Sequence, residues 1–300
     1  MGDILSRGSL FPAELVTEMI NNVKGKSSLA QLCASSPIAF NGQTEFTFTM
    51  DKEVDVVAEN GPKTKGGVTI NPVTIVPVKI EYGARVSDEF KYGSEEVQLG
   101  YLQGFAEGFA RKAARGFDIM AMHGLNPRSK TASSVIGDNN FDSQIENTQI
   151  VTQSASTTAD AQVEAAVALV QGSENDVTGM AMAPVFRSAL AALKEDGKKM
   201  YPELAWGSAP GAINGLPVDS NSTVSFNNSL DRAIVGDFVN MFKWGYAKEI
   251  PLEVIEYGNP DNDATLGDLK GHNQVYLRAE LYIGWGILDP TAFALIKAAE

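Results

Sequence analysis

The sequence predicts an α+β fold, and three patterns carry that reading. From Thr44, apolar and polar residues alternate with the two-residue period of a half-buried strand. From Ser87 the apolar spacing changes to three and four and holds as far as Met120, which predicts one long helix. Beyond Gly124, short strand-like and helix-like stretches follow one another without the regular alternation of parallel βαβ units.

The elements follow in order. Leu10-Phe11-Pro12 opens a helix in which Pro12 occupies the tolerant first turn, Leu15, Met19, Ile20 and Val23 recur at helical spacing, and Gly25 ends it. Ser27-Ser28 caps a second short helix through Leu29, Leu32 and Cys33, stopped before Pro37. Phe46, Phe48 and Met50 then alternate with Glu45, Thr47 and Thr49. Asn60-Gly61 marks a turn, and Lys63 to Gly67 form a polar tip. Val68 to Ile80 return along a path interrupted by Pro72 and Pro77, which suits an edge strand and not a central one. Thr44 to Ile80 is therefore expected to be a long hairpin with little core of its own.

Ser87-Asp88 caps the long helix, whose buried stripe is Leu102, Phe105, Phe109, Ala113, Phe117 and Met120. Unbroken from Asp88 to His123 it would reach about 50 Å and act as a spine; Gly93 is a candidate break. Ser129 to Ala159 reads as strand fragments and loop, and Asp160 to Gln171 as a helix. Gly179 to Ala183 is a short buried strand, Val185 to Lys194 a helix, and Tyr201 to Asn214 a loop. Strands are expected at Gly215 to Val218, Ala233 to Phe238 and Tyr276 to Ile283, and a last helix from Asp289-Pro290-Thr291 through Ala298.

Composition narrows the function. The 300 residues carry 24 Lys plus Arg and 37 Asp plus Glu, so the formal charge is 24 − 37 = −13. That balance argues against a duplex reader, which needs a basic face, and against docking on anionic lipid. Charged residues make up 20%, below the usual quarter, which suits a surface covered by neighbours. The single cysteine, Cys33, excludes an internal disulfide and any cysteine-based metal site. No apolar run is long enough to span a bilayer.

No catalytic set emerges. Lys24-Gly25-Lys26-Ser27 matches only the end of a phosphate-binding loop, and Ile20 stands where its first glycine should be. His123, at a helix end, is expected to bond the last helix carbonyls. Neither it nor His272 has a two-ligand spacing. The acidic run Asp261 to Asp268 fails the calcium-loop pattern and reads as a solvated loop. Cys33 reads as a small core hydrophobe. No cofactor or metal is expected. What remains is an unsupported hairpin, a spine helix and an acidic surface, a combination that implies neighbouring copies completing the fold. Gly100, Gly104 and Gly108 share one face of the spine, where each glycine costs up to about 1 kcal/mol against alanine. That face is expected to meet a close neighbour.

The order of these elements resembles the major capsid proteins of tailed bacteriophages, the HK-ninety-seven-type fold. Leu10-Phe11-Pro12 and its helix resemble the family's N-terminal arm, and Val56-Val57-Ala58-Glu59-Asn60-Gly61 its extended loop. Val86-Ser87-Asp88-Glu89-Phe90 and Asp118-Ile119-Met120-Ala121-Met122-His123-Gly124 resemble the two ends of its spine helix. Gly215-Leu216-Pro217-Val218 and Gly236-Asp237-Phe238 resemble its axial strands, and Arg278 through Asp289-Pro290-Thr291-Ala292-Phe293 its C-terminal strand and ending.

The resemblance implies an N-terminal arm with short helices at 1–40 and an extended loop at 41–80. It places a peripheral domain with the spine helix at 81–150 and 268–288, and an axial domain at 151–267 and 289–300. It implies a structural, non-enzymatic subunit that assembles as pentamers and hexamers into an icosahedral shell around double-stranded DNA, held without sequence-specific contact. The chain starts almost at the arm, so a separate scaffolding protein is expected, together with a portal protein and room for a decoration protein. Assembly is expected in the host bacterial cytoplasm, with the product in the virion and no membrane involved. Interface candidates are Glu59, Asn60, Gly61, Lys63 and Lys65 on the loop, with Gly100, Gly104, Gly108, Arg111, Lys112 and Arg115 on the spine. Glu59 is expected to pair with Arg111, Lys112 or Arg115 of a neighbour. Some family members crosslink through a loop lysine, but plain solvated lysines are the better reading of Lys63 and Lys65. The alternatives are a nanocompartment shell of the same fold around a cargo enzyme, or an unrelated soluble enzyme or binding protein.

Overall fold

The computed structural model describes residues 27–154, 156–207 and 211–299. The expected arm helix at Pro12 to Val23 and the phosphate-loop-like lysines lie outside those residues. Helix α1 (Ser28–Leu32) has Ser27 as its N-cap, and the Ser27 hydroxyl accepts from the Ala30 N–H. Strands β1 (Gln43–Met50) and β2 (Val68–Ile75) pair antiparallel as a two-stranded ribbon. Strand β3 (Val78–Ser87) leaves that ribbon after Pro77 and joins another sheet. Val78 and Ile80 therefore do not belong to the hairpin, which ends at Ile75. Both ribbon strands are edges, which is why Pro72 is tolerated opposite Phe46.

A single 3-10 stretch, Asp88–Tyr92, precedes Gly93, and the spine helix α2 (Glu95–His123) follows over 29 residues. The helix is therefore about 43 Å long, broken from its capping turn at Gly93. It ends at Gly124 in the left-handed region, φ 66°, a conformation that favours glycine. The polar stretch after it holds short α3 (Phe141–Gln144) and β4 (Ile150–Thr152). Then come α4 (Ala159–Gly172), β5 (Gly179–Met182) and α5 (Pro184–Ala192). Lys194–Glu195 (β6) and Lys198–Lys199 (β7) form a tight turn, so the expected helix stops short of Lys194. Strands β8 (Ala212–Ile213), β9 (Leu216–Ser220), β10 (Asp231–Gly236), β11 (Phe242–Ile255), β12 (Gln274–Ile287) and β13 (Phe293–Lys297) complete the fold.

The expected last helix is instead strand β13. Asp289 caps only the 3-10 turn Pro290–Ala292. Phe293 to Ile296 are fully buried because β13 runs between β10 and β4, with both faces covered. A short continuous apolar run in such a place shows no two-residue alternation, so periodicity alone cannot separate it from a buried helix.

Two sheets result. The first is antiparallel, in the order β11-β12-β3, and α2 lies on it through Leu102, Phe109 and Ala113 against Leu252, Leu277, Ala279 and Leu281. The second is mixed, in the order β4-β13-β10-β5-β9-β8. It packs α4 and α5 through Ala166, Val170, Phe186 and Leu190. A third core joins them, where Phe117 of α2 meets Trp244 and Trp285. Cys33 is buried in this joint, 4% exposed, as a small apolar residue. Burial and the nearby Asp237 push its thiol up to about 11, away from reactivity.

Candidate functional site

The ribbon of β1 and β2 leaves the body from a fixed base. Ile75 is 1% exposed and sits over Gly284 and Gly286 of β12. A Cβ at Gly286 would stand 2.8 Å from Ile75 Cγ1, so glycine is what lets the ribbon seat. Lys243 pairs with Glu45 at 3.0 Å on the ribbon's other strand. Beyond this base the register places Phe46 opposite Pro72, Phe48 opposite Ile70 and Met50 opposite Val68, so all six share one face. That face is open: Phe48 is 66% exposed, and Phe46, Met50, Val68 and Ile70 are each more than half exposed. The tip continues it with Val56, 98% exposed. Large apolar surface left open in this way marks an interaction site.

At the tip the Gly61 N–H donates to the Ala58 carbonyl at 2.8 Å, closing a turn through Glu59 and Asn60. Glu59, Asn60, Lys63 and Lys65 are exposed and Gly61 is half-buried. On the spine helix, Gly100 and Gly104 are exposed and Gly108 is half-buried. Among the described residues, a Cβ at any of the three meets nothing within 4 Å. The glycines lie opposite the helix face that covers the three-stranded sheet, beside exposed Arg111 and Lys112. Arg115 lies differently. It donates to the Ser222 hydroxyl at 3.0 Å and stacks over Phe226 at 5.6 Å, so its guanidinium is held within its own chain.

Two buried polar clusters were not legible as sites in the sequence. Asp118, on the spine helix, is fully buried. Its oxygens accept from Ser27 Oγ at 2.5 Å, the Ser28 and Leu29 amides at 3.0 and 3.3 Å, Thr223 Oγ1 at 3.0 Å and Asn221 Nδ2 at 3.3 Å. Burial outweighs these donors and raises its carboxyl to about 6. His123 does not bond the last helix carbonyls. Its Nε2 faces the Thr223 carbonyl at 2.9 Å, and its Nδ1 faces Asp142 at 2.8 Å and Asp231 at 3.4 Å. Lys297 lies 3.2 Å from Asp231 and 3.6 Å from Asp142. The ligand atoms of His123, Asp142 and Asp231 fall within 4.8 Å of one another, a spacing a metal could use. Lys297 and the imidazole already set two cations against two carboxylates, and we read the group as an ion-pair cluster.

The acidic loop after β11 is likewise organised by the chain itself. Arg85 donates to both oxygens of Asp261, to Asn259 Oδ1 and to the Gly267 carbonyl. The expected solvated loop is thus wrapped around a guanidinium that occupies the cationic centre. Among the described residues, no helix is long and apolar enough to cross a membrane.

The comparisons agree on one family. The model of the phage capsid family matches residues 7–298. A solved structure from Mycobacterium phage Ogopogo is 32% identical, with a TM-score of 0.77, over 91% of this chain and 92% of its own. One from Gordonia phage Cozz is 25% identical, with a TM-score of 0.74, over 91% and 87%. A chain described as the capsid of a native GTA particle computed with C5 symmetry shares the fold at 17% identity and a TM-score of 0.63, over 91% and 90%. No curated protein matches the chain.

Proposed function

The chain belongs to the phage capsid family, and on that premise we propose how its surface builds a shell. It is a tailed-phage major capsid protein, a structural subunit whose place is the virion. Its copies group as pentamers and hexamers and close an icosahedral shell. The observation that carries this reading is the apolar face of the ribbon, Phe46, Phe48, Met50, Val68, Ile70 and Pro72, which is left exposed among the described residues. Full burial of each large side chain contributes roughly 1.5–3 kcal/mol, so covering this face against a neighbour is a main driving force of assembly. A ribbon on one copy and a receiving surface on the next make a head-to-tail contact, which closes into a ring when its rotation divides the circle. The GTA capsid computed with C5 symmetry fits such a ring.

The extended loop expected at 41–80 is then the overlap element as far as Ile75, where the ribbon ends. The peripheral domain expected at 81–150 and 268–288 also takes in β3 from Val78 and β11 (Phe242–Ile255), because both pair with β12 in the three-stranded sheet under the spine helix; the rest of 151–267, with 289–300, forms the axial domain. Glu59 of one copy pairs with Arg111 or Lys112 of the next. The shell encloses double-stranded DNA, and the −13 charge keeps the genome from adhering while it enters. The phage relatives favour DNA over a cargo enzyme as the content. Assembly takes place in the host bacterial cytoplasm with a scaffolding protein and a portal, and a decoration protein is a further candidate partner. Electron microscopy of the purified chain with its scaffolding partner tests the reading. Closed shells are the expected result, and a protein that stays monomeric with that partner present refutes it.

A further inference from the structure

The segment between β9 and β10 is gripped by three side chains of the spine helix. Arg115 bonds Ser222 and stacks on Phe226. Asp118 accepts from Asn221 Nδ2 and Thr223 Oγ1. His123 faces the Thr223 carbonyl. Thr223 is 0% exposed and is thus held at its hydroxyl by one residue and at its carbonyl by another. The following Val224 is fully buried in the joint between the two sheets. The same segment is tied to the six-stranded sheet, because the Asn221 N–H donates to the Met182 carbonyl.

The hydrogen-bond partners of His123 fix its protonation. A carbonyl can only accept, so Nε2 carries a hydrogen toward Thr223. Nδ1 faces two carboxylates, which accept when ionised. With both carboxylates ionised, a ring with acceptors on both sides is an imidazolium; burial and the neighbouring Asp231 raise the Asp142 carboxyl, so it titrates together with the ring. The charged groups that face it come from three elements: Asp142 from α3, Asp231 from β10, and Lys297 from β13, which lies against both carboxylates.

We propose that Asn221–Phe226 is a latch locking the spine helix to the six-stranded sheet, and that its closed form requires the proton on His123, so that a rise in pH opens it. When the segment lifts away, His123 loses its acceptors and meets water, where an ordinary imidazole gives up its proton near 6.5. Closed, burial alone would lower that value, but the bonds to Asp142 and Asp231 outweigh it and raise it to about 10. The sign follows: closure is strongest below the open-state value and is lost as pH climbs toward the closed-state value. Asp118 acts in the same direction at lower pH, being also raised in the closed form. Asp231 acts oppositely, being held below its usual range, and weakens the cluster only in strong acid.

Two measurements on the full chain test this. In a His272→Gln protein labelled with 15N-histidine, both ring nitrogens of His123 should keep imidazolium shifts at pH 8. A neutral ring at that pH overturns the proposal, and so does a ring that changes only when Zn²⁺ is added, which would make the cluster a metal site. Amide exchange, corrected for its intrinsic pH dependence, should show protection of residues 221–226 falling roughly tenfold or more between pH 7 and pH 9. Protection within Gln274–Ile287 should stay unchanged. Arg115→Gln should lower protection of the segment at both pH values while keeping the slope, whereas His123→Gln should remove the slope. A wild-type segment equally protected at pH 7 and pH 9 overturns the proposal, as does a slope that survives His123→Gln.

Discussion

Asp118 shows how much a single residue can hold. It joins the cap of α1, the spine helix and the β9–β10 segment through five donors drawn from positions 27, 28, 29, 221 and 223. Asp118→Ala leaves two buried amides and two hydroxyls without their acceptor. The expected loss is roughly 3 kcal/mol or more, read as a lowered denaturation midpoint. Its pH dependence has a defined sign. Because the folded carboxyl is raised to about 6 from 3.8, the folded state holds the proton more tightly, and the stability linked to this group is full below 3.8 and lost as pH rises through about 6. The stability difference between wild type and Asp118→Asn should therefore shrink between pH 4 and pH 6.5, and a difference that is flat or grows there would contradict the buried-carboxylate account. The Ser27 cap was legible in the sequence, because a cap and its helix are neighbours in the chain. Asp118 was not, because its partners lie up to 105 residues away and leave no local signal. His123 was misread for the same reason: its helix end was visible, and the carboxylates that claim it were not.

At the scale of elements, legibility follows the period of the pattern. The ribbon and the spine helix each have one open face, so their two-residue and helical periods are plain in the sequence. Strand β13 is covered on both sides, and there the alternation that would separate strand from helix vanishes; the equally covered Gly179–Met182 is still read as the strand it is, being short and stopped by Pro184. The glycine stripe of the spine gains its meaning only from the structure. Because none of the described residues stands within 4 Å of a Cβ at Gly104, Gly104→Leu should fold at least as well as wild type, gaining up to about 1 kcal/mol of helix propensity. It should still block shell assembly if a neighbour's backbone lies in that groove, while Gln103→Leu assembles. Particle yield by sedimentation, set beside the melting temperature, separates the two effects, and normal shells from Gly104→Leu would show that the groove is empty. In the proposed shell, Glu59 belongs to the same contact. Its exposure makes Glu59→Lys neutral for the protomer, and an exposed pair is worth at most about 1 kcal/mol. Symmetry repeats that loss at every contact, so assembly should suffer while the melting temperature holds, and Arg111→Glu in the same chain should restore particles. The held position of Arg115 makes Arg111 and Lys112 the better partners.

At the scale of the whole molecule, the protomer should be complete without its ribbon and the shell should not. The three cores account for both sheets and the spine helix, and none includes a residue between Thr44 and Thr74. Ile75 is different: it is buried over Gly284 and Gly286, and a deletion that removed it would open a cavity in the body. The deletion must also respect the register. Thr44 and Thr74 are paired across the ribbon, with their hydroxyls 3.5 Å apart, so a short Gly-Ser link between them spans the gap without strain. Replacing Glu45–Val73 in this way removes the apolar face, the tip and the Glu45–Lys243 pair while leaving Ile75 seated. An isolated two-stranded ribbon is marginal in water and adds little to the body it leaves. The shortened chain should therefore keep the circular dichroism and cooperative melting of the full protein. With the scaffolding partner it should sediment as small oligomers, because each copy has lost its overlap with the next. Closed particles from the shortened chain would overturn the view of the ribbon as the assembly element, and a molten, aggregating protein would place the ribbon in the protomer core.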